Sequence, residues 1–420
     1  EKGYGFTDDE MEADVIVVNT CCFIGDAKEE SVNTILEMAE HKKDAKCKAL
    51  IVTGCMAQRY KNEIIEEVPE VDAVLGTTSY GDILKAIREA MEGKHFQEFK
   101  DIDYLPEKLG KRVLTTGGHF GYLKIAEGCD KHCTYCIIPK LRGKFRSVPM
   151  ERLVTQAKEM AEEGVKELIL VAQETTVYGT DIYGKKSLHI LLKELCKIKG
   201  IRWIRVLYCY PEEIYDELIQ TMKEEKKICH YLDLPIQHAS DRILKRMGRR
   251  TTQAELVEIV NKLRREIPDI VLRTTLISGF PGETQEDHEE LMGFVDEMEF
   301  DRLGVFTYSP EEDTPAATMP DQVEEEVKEA RRDEIMELQQ EISYDKGTDR
   351  IGQELLVMIE GKVADESAYI GRTYGDAPKV DGYIFVQTGE LLMTGDFAKV
   401  RVTGALEYDL IGELADEYTE

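Results

Sequence analysis

The chain has 420 residues and a formal net charge of −29, from 83 acidic and 54 basic side chains. This length exceeds one ordinary hydrophobic core, so we expect two to four domains. The acidic charge disfavours binding to nucleic acid, because that affinity comes largely from neutralised phosphates. The acidic charge suits binding to a basic partner, and the alternative is that it only keeps the protein soluble.

Apolar runs and cysteine usage narrow the class of protein further. No apolar run in the sequence reaches membrane-spanning length, so no membrane partner is expected. Ten cysteines in a chain of this size are not a disulfide framework. Their grouping in short motifs indicates metal binding in a reducing compartment, so we expect a cytoplasmic protein.

The first segment, residues 1–95, is predicted to be a small parallel α/β domain. Apolar strands are expected at 15–18, 49–52 and 71–75, with helices between them. Cys21 and Cys55 closely follow the first two of these strands. Because ligands bind at the carboxyl ends of parallel strands, we expect these two thiols to meet as candidate metal ligands.

Two nearby cysteines are not expected to join that pair. Cys22 is adjacent to Cys21, and side chains alternate sides along an extended chain. Cys47 precedes its strand and therefore lies at the opposite end of it. The chain begins with Glu1, so we expect the opening strand of this domain to be missing from the sequence.

The central segment, residues 115–345, is predicted to be a partial (β/α)6 barrel. An irregular, charged stretch at 93–117 precedes it and is predicted to be a linker. Six strands are expected, at 121–126, 168–172, 203–208, 231–234, 271–277 and 303–308. Amphipathic helices such as 188–198 and 254–267 separate them, and in such barrels the chemistry lies at the carboxyl ends of the strands.

The final segment differs in character from the barrel. A long polar helix at about 322–342 leads out of the barrel. Short strand-like runs separated by glycine-containing turns then fill residues 350–420. This pattern predicts a small antiparallel β-barrel.

Three cysteines, Cys129, Cys133 and Cys136, lie in one short loop directly after the first barrel strand. Three thiolates at this spacing can hold three irons of a 4Fe–4S cube and leave the fourth iron open to a substrate or cofactor. The alternatives are buried, unliganded cysteines or a structural zinc site with His132 as a further ligand. The open position favours an enzyme.

The chain resembles the radical S-adenosylmethionine (SAM) methylthiotransferases over nearly its full length. The matching motifs are Asn19-Thr20-Cys21, Gly54-Cys55-Met56-Ala57-Gln58-Arg59, the loop from Gly128 to Gly143, and Gly279-Phe280-Pro281-Gly282-Glu283-Thr284. The tail resembles a TRAM domain. Residues 23–31 and 371–378 resemble the RimO type, which methylthiolates an aspartate of a small-subunit ribosomal protein. The related MiaB type modifies an adenosine of transfer RNA.

The resemblance implies two 4Fe–4S clusters and SAM as cofactors, together with an electron donor. Cys129, Cys133 and Cys136 would hold the cluster that binds SAM, and reductive cleavage of SAM would yield a radical that takes hydrogen from the aspartate β-carbon. Cys21 and Cys55 would hold an auxiliary cluster that handles the sulfur. The family uses a third cysteine there, from the opening strand that we expect to be missing from this sequence.

The resemblance also suggests which residues contact SAM. Tyr135 would cover the adenine or pack against the cluster. The other candidates lie at or near strand ends or in the glycine-rich motif, and are Gln173, Gln237, Arg273, Gly279, Gly282 and Glu283. For each residue near a strand end, a structural role is an equally good interpretation, and the glycine-rich motif alone is consistent with a simple turn.

The charge of the tail favours a protein substrate over RNA. Residues 351–420 contain fourteen acidic and five basic residues. A module that docks on transfer RNA should be basic, whereas a ribosomal protein is itself basic. We therefore expect methylthiolation of a ribosomal protein and no direct transfer RNA substrate. A non-catalytic iron–sulfur factor that binds the ribosome is the alternative from another class.

Overall fold

The computed structural model describes residues 3–106, 114, 116–364 and 366–415. The chain divides into two compact units. The first unit comprises Glu1–Arg112, Glu127–Arg146 and Ser309–Thr318, and the second comprises Val113–Ala126, Ser147–Tyr308 and Met319–Glu420. The predicted domain boundaries at residues 95, 115, 345 and 350 stay predictions.

The chain up to residue 98 alternates strands and helices. These elements are β1 (Val15–Thr20), α1 (Gly25–Asp44), β2 (Ala49–Gly54), α2 (Cys55–Tyr60), α3 (Asn62–Glu67), β3 (Ala73–Leu75), α4 (Ile83–Met91) and β4 (Phe96–Glu98). The strands form a parallel sheet in the order β1-β2-β3-β4. β2 is almost entirely buried, as an inner parallel strand should be, while side chains of β1 alternate between buried and exposed.

The linker prediction for residues 93–117 is wrong in part, because β4 lies within it. Phe96 pairs with Ala73 of β3 and extends the sheet. The strand has only three residues and no apolar run, so periodicity could not reveal it. Residues 107–113 and 115 of the predicted linker lie outside the described residues.

The central part of the chain has a repeated strand–helix pattern. Its elements are β5 (Phe120–Lys124), β6 (Ala126–Glu127), α5 (Ile138–Arg142), β7 (Arg146–Ser147), α6 (Met150–Glu162), β8 (Glu167–Val171), α7 (Thr180–Tyr183), α8 (Leu188–Cys196), β9 (Trp203–Val206), α9 (Asp216–Glu224), β10 (Ile228–Asp233), α10 (Asp241–Arg246), α11 (Gln253–Glu266), β11 (Val271–Ser278), α12 (Gln285–Met298), β12 (Arg302–Thr307) and α13 (Glu325–Thr348). Short 3₁₀ helices lie at Glu10–Glu12, Tyr80–Asp82, Pro211–Glu213 and Pro315–Thr318.

Six of these strands form one parallel sheet in the order β12-β11-β10-β9-β8-β5. The order confirms the predicted series of six βα units. Inner strands are buried on both faces and read as short apolar runs, which is why the sequence located them well. No helix within the described part of the chain is long and apolar enough to cross a membrane.

The C-terminal strands are β13 (Glu354–Lys362), β14 (Ala368–Thr373), β15 (Ile384–Gln387), β16 (Phe397–Ala405) and β17 (Leu410–Leu414). They close into a barrel in the order β13-β14-β15-β17-β16. The prediction of a small barrel is confirmed, but β15 and β17 pair in parallel. A closed ring with an odd number of strands cannot alternate direction throughout, so one parallel pair is required.

The C-terminal barrel packs at the amino ends of the six-stranded sheet, within the second unit. Trp203 and Val271 are the first residues of β9 and β11, and they share a buried apolar cluster with Phe397 of β16. The rings of Trp203 and Phe397 meet edge to face, with their centroids 4.8 Å apart. This arrangement leaves the carboxyl ends of the strands for chemistry.

A buried group of charges accompanies this apolar cluster. Glu167 of β8 accepts hydrogen bonds from Arg205 of β9 and Arg372 of β14, at 2.8 and 2.7 Å. All three side chains are fully buried. Burial alone would raise the pKa of Glu167, but the two guanidinium groups hold it below its ordinary value. Glu167 is therefore ionised and pairs the sheet with the C-terminal barrel.

Candidate functional site

The carboxyl ends of β1 and β2 bring Cys21 and Cys55 to the same edge of the N-terminal sheet. Thr20 and Gly54 are partners in the parallel register, so the two cysteines follow at equivalent positions. The Thr20 hydroxyl donates to the Thr53 carbonyl at 2.6 Å and ties the two strand ends together. Cys21 is exposed and Cys55 is buried. Their proximity follows from the strand register, and their role as ligands stays a prediction.

Gly54 is the residue that permits this close approach. Its φ is +100°, a backbone conformation that residues other than glycine rarely adopt. A Cβ atom at this position would lie 2.4 Å from the Thr20 carbonyl oxygen and 2.7 Å from Asn19 Oδ1. The motif Thr-Gly-Cys thus places Cys55 at the start of α2 directly beside the end of β1.

The two neighbouring cysteines are both buried, and their exclusion from the ligand set stays a prediction. Cys22 is fully buried in the core of the N-terminal sheet, whereas Cys21 is exposed. Burial, together with the adjacent Cys55 thiol, raises the pKa of Cys22 to about 11. Cys47 is also buried, and its thiol donates to the Ala49 carbonyl at 3.5 Å. Both cysteines therefore lie within the apolar core. Cys22 is buried next to the exposed Cys21, and Cys47 lies before the amino end of β2.

The loop of three cysteines is closed by hydrogen bonds between its two ends. The Cys129 N–H donates to the Gly143 carbonyl at 3.1 Å, and the Phe145 N–H donates to Asp130 Oδ1 at 3.1 Å. Gly128 has a φ of +78°, and a Cβ atom there would lie 2.1 Å from the Lys144 carbonyl oxygen. Only glycine fits where the chain ends cross immediately before Cys129.

The three thiols of this loop suit a metal cluster by their chemistry. Cys129 and Cys133 are buried, and Cys136 is partly buried. Burial and the neighbouring thiols Cys133 and Cys129 raise the pKa of Cys136 to about 12, so a bound cation would be needed to hold this thiol ionised at neutral pH. The Lys131 N–H lies 3.4 Å from the Cys129 sulfur, the kind of contact that tunes iron–sulfur clusters.

The alternative for this loop is a single zinc ion. A zinc ion would need a fourth ligand beside the three thiols, and His132, the histidine of the loop, is exposed. A cube presents a different iron to each cysteine and needs no fourth protein ligand. Three thiols alone therefore suit a cluster, whereas a structural zinc ion requires a further ligand.

The loop also supplies a side chain to the Cys21–Cys55 edge, within the same unit. Arg142, the last residue of α5, points its guanidinium group at Cys55. The Nε and Nη2 atoms lie 3.3 and 3.1 Å from the sulfur, and Nη1 lies 3.5 Å from Glu127 Oε1. The sequence motif contains Arg142, but the motif gives no sign of this contact.

Two predicted SAM contacts lie near the carboxyl ends of barrel strands. Gln173 follows β8 by two residues and is partly buried. Gln237 lies beyond β10, where its N–H donates to Thr275 and its carbonyl accepts from Ile277, at 2.9 and 2.8 Å. Its φ is +73°, which is unusual for a residue other than glycine. Their positions agree with the expectation, and contact with SAM stays a prediction, as it does for the partly buried Tyr135.

The glycine-rich motif makes room for two neighbouring side chains. A Cβ atom at Gly279 would lie 2.1 Å from Lys328 Cγ, and one at Gly282 would lie 2.8 Å from Arg246 Cζ. Both glycines have positive φ. Contact of these glycines with SAM stays a prediction. Thr284, the last residue of the motif, caps α12.

Glu283 serves the same turn. Its carboxylate accepts from the Phe280 N–H at 3.2 Å and pairs with Arg331 Nη1 at 2.9 Å. His238 Nε2 lies 3.4 Å from it, and His238 Nδ1 accepts two backbone hydrogen bonds. Burial would raise the pKa of Glu283, but these partners hold it below its ordinary value. Glu283 is thus engaged in structural contacts, and His238 is a buried, hydrogen-bonded residue beside it.

Arg273 lies at the other end of its strand from the predicted chemistry. It is the third residue of β11, and its guanidinium group pairs with Asp233 at 2.8 Å and with Asp381 at 3.3 Å. Asp381 belongs to the segment between β14 and β15 that packs at the amino ends of the sheet. Two carboxylates hold the side chain there, which agrees with the structural interpretation, and contact with SAM stays a prediction.

One strained residue at a strand end was missed by sequence reasoning. Tyr208 follows β9 and has a φ of +59°. Its N–H donates to Asp233 Oδ2 at 3.1 Å, and its carbonyl accepts from the Thr175 N–H at 3.0 Å. The side chain is 49% exposed. No sequence signal reveals a positive φ at a tyrosine, and such strain is concentrated at functional sites.

Three family models match parts of the chain. Residues 123–295 match the Radical SAM superfamily, residues 1–76 match Uncharacterized protein family UPF0004, and residues 351–415 match the TRAM domain. The radical SAM methyltransferase TsrM from Kitasatospora setae has a similar fold, with a TM-score of 0.53 and 13% identity over 73% of this chain and 66% of that one. A 4Fe–4S cluster and SAM are the cofactors that follow from the superfamily.

Curated relatives are similar over almost the whole chain. The ribosomal protein uS12 methylthiotransferase RimO of Lachnoclostridium phytofermentans is 65% identical over 98% of this chain and 94% of its own length. The proteins of the same name from Clostridium perfringens and Clostridioides difficile are 53% and 50% identical over 99% of this chain, and over 93% and 94% of their own lengths. The chain belongs to the RimO-type methylthiotransferases of the radical SAM superfamily.

Proposed function

We propose that this protein transfers a methylthio group to the β-carbon of an aspartate in ribosomal protein uS12, using SAM and two 4Fe–4S clusters. The observation that carries the proposal is the second set of thiols. Cys21 and Cys55 lie at adjoining strand ends, apart in sequence from the loop of three cysteines. A radical SAM enzyme that only cleaves SAM needs one cluster, whereas sulfur insertion requires a place to hold sulfur.

The residues of the two sites divide the work in this proposal. Cys129, Cys133 and Cys136 hold one cluster and leave an iron open, and a reduced cluster supplies the electron that cleaves SAM. Cys21 and Cys55 hold the other cluster. The buried surroundings of Cys55 exclude water from it, and Arg142 supplies a positive charge beside its sulfur. Gln173 and Gln237 are candidates for orienting SAM, and Tyr135 for covering its adenine.

The charge of the C-terminal barrel supports a protein substrate over transfer RNA. Of the five basic residues after position 350, Arg372 is fully buried and Arg401 pairs with Glu354 at 2.8 Å. Asp376 and Asp381 are also buried, yet acidic residues still outnumber basic ones on this module. The acidic residues Asp365, Asp416, Glu417 and Glu420 lie outside the described residues. An acidic module suits a basic protein and repels a phosphate backbone.

The proposal also requires an electron donor, because SAM cleavage consumes an electron that the chain itself does not store. A reducing, cytoplasmic setting would keep the ten thiols available for clusters.

Three cysteine variants test the division of labour. Cys133→Ala should abolish SAM cleavage. Cys55→Ala should retain SAM cleavage and yield no methylthiolated peptide, while Cys47→Ala, a core thiol outside both sets, should retain both activities. Cleaved SAM and modified uS12 peptide are measured in the same reaction. Methylthio transfer by the Cys55 variant at the rate of the unmodified protein would refute the second cluster.

A further inference from the structure

The two predicted cluster sites share one side chain, Arg142. It lies on the loop that carries Cys129, Cys133 and Cys136, and its guanidinium group contacts Cys55 of the other set. All of these residues belong to the first compact unit. We propose that Arg142 is a positioning residue that sets the reduction potential of the auxiliary cluster through hydrogen bonds to the Cys55 sulfur. This inference rests on the proposed second cluster.

The contact has the geometry of a two-point donor. Nε and Nη2 lie 3.3 and 3.1 Å from the Cys55 sulfur, so two N–H groups of one planar guanidinium converge on one atom. Arginine donates in such a fixed fork, whereas lysine presents a single mobile ammonium group. Hydrogen bonds to a charged sulfur are stronger than neutral ones. Two N–H groups aimed at one sulfur suit a metal-bound cysteine, whose sulfur would accept both hydrogen bonds.

The packing of α5 fixes where Arg142 points. Ile137 and Leu141 are buried in the same apolar core as Cys55 and Met56. The Leu141 carbonyl accepts a hydrogen bond from the Thr77 hydroxyl at 2.9 Å. With the flanking residue anchored, the guanidinium group has little freedom to leave the sulfur.

The same chain segment also fixes the loop of three cysteines. The residue after Arg142 is Gly143, whose carbonyl accepts the Cys129 N–H at 3.1 Å. Arg146 Nη2 donates to the Arg142 carbonyl at 3.0 Å and holds the end of the loop. A shift of Cys129 therefore moves the backbone that carries Arg142, which links the geometry of the two thiol sets.

The expected electronic effect has a definite sign. Hydrogen bonds and positive charge at cluster sulfurs stabilise the more negative, reduced state and raise the reduction potential. Glu127 Oε1 lies 3.5 Å from Nη1, the one guanidinium nitrogen that does not contact the Cys55 sulfur. Its negative charge therefore reduces the effect but leaves the two hydrogen bonds to the sulfur in place. Loss of Arg142 should lower the potential of the auxiliary cluster.

The test isolates the auxiliary cluster in the full-length protein by replacing Cys129, Cys133 and Cys136 together with alanine. In that background the midpoint potential is measured by redox titration monitored by electron paramagnetic resonance. Arg142→Gln should lower the midpoint, and Arg142→Lys should lower it less. Lys140→Gln removes the same charge two residues away, where the ammonium group donates to the Asp313 carbonyl at 2.7 Å, and should leave the midpoint unchanged.

The outcomes separate this inference from the function on which it rests. A background protein that binds no iron would overturn the second cluster and the role of Arg142 with it. A normally loaded cluster whose midpoint is the same with and without Arg142 would overturn only the role of Arg142. Equal shifts in the Arg142→Gln and Lys140→Gln variants would also overturn it, because general charge would then account for the effect.

Discussion

Replacement of Glu167 by glutamine probes the buried charges that join the sheet to the C-terminal barrel. Glu167 is fully buried, and its two oxygens accept from Arg205 and Arg372 at 2.8 and 2.7 Å. Glutamine has nearly the same shape, so the packing stays while the negative charge is lost. The two buried guanidinium groups then lose the carboxylate that neutralises part of their positive charge.

The magnitude follows from what each arginine retains. Removing one partner of a buried ion pair costs about 3–5 kcal/mol. Arg372 keeps the Glu360 carboxylate at 2.7 Å, whereas Arg205 keeps two uncharged partners, the Tyr374 carbonyl at 2.7 Å and the Tyr231 ring. Because one of the two cations remains paired with a carboxylate, we expect a loss of about 3 kcal/mol in the free energy of unfolding.

The assay uses the only tryptophan of the chain, Trp203. It packs against Phe397 at the same junction, so its fluorescence reports separation of the barrel from the sheet. Urea unfolding is compared for the unmodified protein, Glu167→Gln and the control Glu354→Gln. Glu354 pairs with Arg401 at the surface, where both side chains are 45% exposed, so its loss should cost less than about 1 kcal/mol. Equal, small losses in both variants would refute the reasoning.

Three further predictions concern pH, backbone strain and salt. The loss of unfolding free energy caused by Glu167→Gln should be largest at neutral pH, and it should shrink as the pH falls below 4.5, the ordinary pKa of glutamate, and through the lower pKa of Glu167 in the folded protein. Urea unfolding curves at a series of pH values measure this loss, and a loss that is independent of pH would contradict the prediction. Gly54→Ala should destabilise the N-terminal sheet by about 3 kcal/mol, because the strain of a positive φ adds to the clash of the new Cβ atom with Thr20. Amide hydrogen exchange in β1 and β2 should therefore accelerate. Gly81→Ala, where a Cβ atom meets nothing within 4 Å, should be neutral, and equal exchange in both variants would disprove the role of Gly54. The KM for a basic uS12 peptide should rise with salt if the acidic barrel attracts it, and a KM independent of salt would refute that attraction.

The sequence predicted elements whose signal is local. The six barrel strands are short apolar runs, and each observed strand begins and ends within three residues of its prediction. The adjacency of Cys21 and Cys55 follows from the parallel register alone. By contrast, β4 has three residues with no apolar pattern, and the parallel pair in the C-terminal barrel follows from the number of strands that close it.

Some contacts of the predicted site residues depend on residues far away in the chain. The space beside Gly279 and Gly282 is taken by Lys328 and Arg246, which no local motif announces. Arg273 is a plausible cofactor contact by its strand alone, until Asp381 approaches it from the C-terminal barrel. The contact of Arg142 with Cys55 likewise joins residues 87 positions apart. Contacts between residues this far apart in the chain determine what a motif residue touches, and the spacing of the motif does not reveal them.

The measurement that tests the central claim most directly is mass spectrometry of two substrates offered to the reconstituted, full-length protein. One is the target loop peptide of uS12, and the other is a transfer RNA anticodon arm. Each is incubated with the protein, SAM and a reductant. The account predicts the mass gain of one methylthio group on the peptide aspartate and none on the RNA. A gain on the RNA, with an unmodified peptide, would contradict it.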